Sequence, residues 1–137
     1  MTIRETYAKL KSVNQLKRRI WRLEQQRDEL QLCMLPAAVR YDKDIVQATP
    51  ENALERVAVE VVDLEREIDQ AKRRRAKLMI TLSRAIEQLP DERDKQIIVG
   101  YYFRGWSLRQ LSEELHYNFQ YVSQLKKTAI ARLSHLL

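Results

Sequence analysis

Apolar residues in the middle of the chain recur with an alternating three-four spacing. The series runs Leu54, Val57, Val61, Leu64, Ile68, Ala71, Arg75, Leu78, Leu82, Ala85 and Leu89, and ten of its eleven members are apolar. That spacing puts one stripe along a helix and is the seam of a coiled coil. It predicts a helix over about 50–88, about 58 Å long at 1.5 Å per residue. Thr49-Pro50-Glu51 supplies a start, with Thr as N-cap, Pro in the first helical position and an acid in the first turn. Upstream, Val13, Leu16, Ile20, Leu23, Leu30 and Met34 follow the same rule, with Arg27 as a polar exception. They predict a helix over about 4–34 that ends at Leu35-Pro36. Residues 36–49 show no clean period and read as a linker. The two helices can fold back as an antiparallel hairpin. The first is the shorter, so part of the seam is left over, and a second copy of the chain can cover it as a homodimer.

The pattern changes after Pro90. Asp91 and Glu92 place acids at the start of a new helix, and Ile97, Ile98, Tyr101, Tyr102 and Phe103 give it a heavy apolar face. Gly105 follows as a C-cap. The aromatic cluster that ends at Trp106 reads as core. Two short helix starts come next. Ser107 can N-cap the first, and Gln110 three residues later completes a capping box. Leu108, Leu111 and Leu115 share a face. His116 and Tyr117 make the break, and Asn118 can N-cap the second helix. There Val122, Leu125, Ala129 and Leu133 recur at helical spacing. This is a helix-turn-helix pattern.

Two capped helices in succession also occur in plain bundles. The outer face of the second helix favours DNA. Gln120, Ser123, Gln124 and Lys127 lie opposite Val122 and Ala129; Gln can pair bidentately with adenine, and Lys can reach guanine or phosphate. No acid occurs after Glu114.

Composition agrees with an all-α protein that meets a polyanion. The 137 residues include only two Gly and three Pro, which suits a nearly all-helical chain. Lys and Arg number 25 against 19 Asp and Glu, a net +6. Residues 1–35 hold eight basic and four acidic side chains, residues 90–137 seven and five, and the middle is balanced. A solvated helix face explains the N-terminal excess as well as a binding surface does. The run Lys72-Arg73-Arg74-Arg75-Ala76-Lys77 has two readings. One is a phosphate-contacting patch. The favoured one is a solvated face, with Arg75 extending its head to water. A lone polar seam residue also sets register or oligomeric state.

Cys33 is the one cysteine, so no internal disulfide forms, which suits a reducing cytoplasm. The opening Met-Thr-Ile-Arg-Glu lacks the apolar run of a signal peptide, and no membrane-spanning stretch is apparent. Catalysis is not indicated. The two His, His116 and His135, fall in a turn and near the end, and Cys33 has no neighbouring His. No Gly-rich phosphate loop occurs, and Asp42 and Asp44 lie in the linker, where they serve solubility. The chain is therefore expected not to be an enzyme and to use no metal or cofactor.

Several segments carry a resemblance. Leu89-Pro90-Asp91-Glu92-Arg93, Ile97-Ile98, Tyr101 to Ser107 and Leu111-Ser112-Glu113-Glu114-Leu115 resemble region 4 of the sigma-70 family. Val122, Gln124, Ala129 and Leu133 match the recognition-helix part of that pattern. The linker Tyr41 to Pro50, followed by Leu64-Glu65-Arg66-Glu67-Ile68, is similar to the ArpU/RinA-like phage transcriptional regulators. The resemblance implies a helical hairpin (1–89) followed by a region 4-like helix-turn-helix domain (90–137). It implies a sequence-specific regulator of phage or prophage genes, often late genes. Residues 1–88 carry only the scattered aromatics Tyr7, Trp21 and Tyr41, no platform for separated promoter bases, so the chain is not expected to be a complete sigma factor. Its partners would be double-stranded DNA and host RNA polymerase. Family base-reading positions carry over to Gln120, Tyr121, Ser123 and Gln124, with Phe119 at the helix start. Lys127 and Arg109 complete the expected DNA-binding set. His116 stands where a turn Gly is common, Ser112 where Ala is common, and the neutral Gln120 where a charge is frequent, so promoter preference does not transfer. The alternative is a DNA-packaging assembly protein of the small-terminase kind, which would form rings.

Overall fold

A computed structural model describes residues 1–35 and 51–137. The linker 36–49, with the start signal at Thr49 and Pro50, lies outside the described residues. Among the described residues the chain is all-α: α1 spans Ile3–Cys33, α2 Glu51–Glu87, α3 Glu92–Ile98, α4 Leu108–Leu115 and α5 Phe119–Ser134. A π-helical turn, Val99–Phe103, follows α3 directly. No strand occurs among the described residues. None of these helices is long and apolar enough to cross a membrane.

The chain divides into two compact units, and both long helices contribute to each. One unit is Lys17–Arg73. Inside it the seam positions Ile20, Val61, Leu64, Ile68 and Ala71 are buried, while Leu23, Arg27, Leu30, Leu54 and Val57 are half-buried. Three-four spacing keeps these side chains on one stripe, so one contact surface shields them all. Val59 and Val62, off the stripe, are exposed. Lys72 approaches Glu24 at 3.9 Å, a surface pair that contributes little.

The other unit joins Met1–Leu16 to Arg74–Leu137. Its main core contains Leu10 and Val13 from α1, Leu82, Ala85 and Ile86 from the end of α2, and Leu89 just beyond it. Ile98, Tyr102, Ala129, Ile130 and Leu133 complete it. The first turns of α1 are thus core to the same unit as the C-terminal helices. Arg75 sits in this unit too. It is half-buried, and its Nε donates to the Val13 carbonyl at 3.3 Å. The polar seam residue binds the neighbouring helix backbone instead of reaching wholly to water.

The sequence pattern predicts one helix from Asp91 to Phe103, but the structure widens its second half into the π-helical turn. Packing around this turn is close. A Cβ on Gly100 would lie 2.8 Å from Leu111 Cδ2 and 3.0 Å from Trp106 Cε3. The bare backbone there lets α4 approach, and the Gly100 carbonyl accepts from Trp106 N at 2.9 Å. Ile98 and Tyr102 are both buried. Gly105 then takes the left-handed conformation expected of it, with φ 77°.

Candidate nucleic-acid interface

Short-range chemistry builds the two helices of the motif. Ser107 Oγ accepts from Gln110 N at 3.1 Å, and Gln110 Oε1 accepts from Ser107 N at 2.9 Å. Both halves of the capping box are therefore made, satisfying two donors that the helix itself cannot. At the other end of α4, His116 adopts the left-handed conformation with φ 58°. Glycine is the usual residue for that geometry, and a non-Gly residue there is uncommon. Ser112 helps to hold the turn. Its Oγ donates to the Tyr117 carbonyl at 2.5 Å, and its carbonyl accepts from Tyr117 N at 3.1 Å. Ser112, where a small apolar residue was the common choice, is thus a turn clamp. Asn118 Oδ1 then accepts from Gln120 N at 2.9 Å and caps α5.

Packing sets which face of α5 is left free. Ile97, Leu111 and Val122 form a second cluster, with Tyr101, Trp106, Leu108, Leu115, Tyr117 and Leu125 against it. Val122, Ala129 and Leu133 are buried, as their spacing predicts, together with Ile130 and Ser134. Gln120, Gln124 and Lys127 remain exposed at four- and three-residue intervals, and Ser123 beside them is half-buried. Phe119 and Tyr121 are exposed at 51% and 41%. Arg109, second residue of α4, is exposed as well. The structure therefore gathers six of the seven expected residues on the first three turns of α5, with Arg109 on the preceding helix. Lys126 belongs elsewhere: its Nζ lies 3.8 Å from the Tyr101 ring centroid.

One group of residues near this face was not anticipated. Arg93, at the start of α3, is held by Asp91 through Nε–Oδ1 at 3.3 Å and Nη2–Oδ2 at 3.0 Å. Arg93 Nη1 donates to Tyr117 Oη at 3.4 Å, and its guanidinium lies 5.9 Å from that ring. Tyr117 in turn meets Tyr121 edge-on at 5.3 Å. A chain of contacts thus runs from the α3 cap to an exposed side chain on α5. The side-chain hydrogen bonds from Arg93, then its backbone N–H, hold the Asp91 carboxyl below its usual range. The same side-chain bond to Asp91 raises the Arg93 pKa. Twenty-four residues separate Arg93 from Tyr117, so no local pattern signals the contact.

The arrangement offers amide, hydroxyl and ammonium groups on a rigid capped helix. These are groups that read base edges and phosphates. It does not assemble a metal site: no group of three or more His, Cys, Asp or Glu comes together among the described residues.

Residues 85–135 match the family model of sigma-70, region 4, a DNA-binding helix-turn-helix domain. The match runs from the end of α2 through α5. No curated protein and no solved structure is matched.

Proposed function

We propose that the protein is a sequence-specific DNA-binding regulator of phage or prophage transcription, acting on late genes. The exposed line Gln120, Gln124 and Lys127, on the capped second helix of a module that matches sigma-70 region 4, carries the reading. Phe119, Tyr121, Ser123 and Arg109 join it as contacts. The phage assignment is supported by the likeness of the linker and of Leu64 to Ile68 to ArpU/RinA-like regulators.

The protein works beside a host sigma factor and acts on host RNA polymerase by recruiting, stabilising or blocking it. Capturing separated promoter bases calls for aromatic platforms beside a basic channel. Residues 1–88 carry only Tyr7, Trp21 and Tyr41, widely scattered. A homodimer through the long helices belongs to the same reading. It is supported by Val59 and Val62, exposed beside the seam.

Site selection from random duplexes, followed by binding of variants, tests the proposal. Gln124→Ala should cost about 1–3 kcal/mol on the selected site and relax preference at one base pair. A Gln120→Ala, Gln124→Ala double variant with unchanged affinity and preference overturns it. Light scattering should give a dimer; rings would favour the packaging alternative.

A further inference from the structure

Charge is unevenly placed along the two long helices. Between Glu5 and Glu24, α1 carries six bases and no acid; between Asp69 and Glu87, α2 carries six bases and no acid. Residues 51–69 are the reverse, with seven acids and two bases. A helix charged only for solubility gains from mixing signs, because opposite charges three or four residues apart attract and like charges repel.

Part of this acid-free zone lies in the unit that contains the helix-turn-helix. There the zone comprises Thr6–Leu16 of α1 and Arg74–Ile86 of α2, joined by the Arg75–Val13 hydrogen bond. Leu82, Ala85 and Ile86 turn inward. Arg74, Lys77 and Arg84 are exposed, and their three- and seven-residue separations set them on one stripe about 15 Å long. Among the described residues none of the three pairs with a carboxylate, whereas nearby Arg73 is tied to Asp69 at 3.0 Å. α2 contains no aromatic residue, so the stripe offers nothing for a base to stack on. Its chemistry is that of phosphate contacts, which position a protein on DNA without reading sequence.

We infer that Arg74, Lys77 and Arg84 form a second DNA contact, a sequence-independent phosphate-binding stripe that engages duplex flanking the site read by α5. The inference rests on the DNA-binding reading above. It accounts for the exclusion of acids: repulsion within the stripe is relieved when phosphates replace the counterions around it.

The test compares the full-length protein with an Arg74→Gln, Lys77→Gln, Arg84→Gln triple variant over a salt series. One duplex extends about 15 base pairs beyond each side of the selected site, and a second is trimmed to the site. On the long duplex the slope of log affinity against log salt should shrink by about 2–3, because each phosphate that the protein no longer neutralises removes about 0.9. Low-salt affinity should fall about tenfold or more, with base preference unchanged. On the trimmed duplex the two proteins should match. An Arg74→Lys, Arg84→Lys variant keeps the charge and should keep the wild-type slope. The Gln120→Ala, Gln124→Ala protein should lose preference and keep the slope. A full wild-type slope in the triple variant on the long duplex, with wild-type base preference present, overturns the stripe alone. Absence of duplex binding by the wild-type protein overturns the DNA reading and the stripe with it.

Discussion

Arg132 on the last turn of α5 reaches back to Asp94 on α3, Nη1 to Oδ2 at 2.7 Å. Asp94 is fully buried, whereas the Arg132 side chain is half exposed. The second carboxylate oxygen of Asp94 has no partner. The buried charge therefore depends on one guanidinium.

Arg132→Ala should destabilise the domain by about 2–4 kcal/mol. The loss is somewhat below that for breaking a fully buried pair, because water already reaches the arginine. Asp94→Asn in the same background should recover part of it, since no unpaired charge then remains. Chemical denaturation of the single and double variants measures both. Additive losses would show that the two residues do not act as a pair.

Tyr102 presents the opposite case. Its ring is buried between α1 and the C-terminal helices and meets Tyr7 edge-on at 6.4 Å, but its hydroxyl has no partner. Burial, with Tyr7 and Tyr101 nearby, pushes its phenol above the ordinary value. Tyr102→Phe removes an unsatisfied group and keeps the ring. It should leave stability unchanged or raise it by up to about 1 kcal/mol. Thermal melting decides; a fall of several degrees would mean that the hydroxyl is satisfied in solution.

Asp91 should shape the acid limb of stability. Its carboxyl is held below the ordinary range, so the folded state binds a proton less readily than the unfolded chain. Its contribution is therefore present in full above the ordinary aspartate range, about 3.9, and is lost as pH falls through the lowered native value. Asp91→Asn should flatten that part of the stability profile and leave the neutral region lower by a constant amount. Urea melts between about pH 2 and 7 test it. A profile parallel to wild type throughout would assign the acid limb to other carboxylates.

Much of the architecture is legible in sequence because its causes are short-range. The capping box of Ser107 and Gln110, the Asn118 cap and the Gly105 turn each involve residues at most three apart. The faces of α2 and α5 follow from a helical period that any partner surface would respect, so Val61, Leu64, Ile68, Val122 and Leu133 are buried where that period puts them. The exposed face of Gln120, Gln124 and Lys127 is the complement of that burial. Tertiary structure alone decided the rest. Leu10 and Val13 of α1 join the core of Ala129, Ile130 and Leu133, over a separation of more than a hundred residues. The π-helical turn lies where Gly100 meets Leu111 and Trp106. Arg93 finds Tyr117, and Asp94 finds Arg132, across helices whose packing angle no local pattern encodes. Periodicity states which face of a helix is apolar. Which other surface it meets is set by the shape of the whole core, where side chains distant in sequence must fill the same space at crystal-like density.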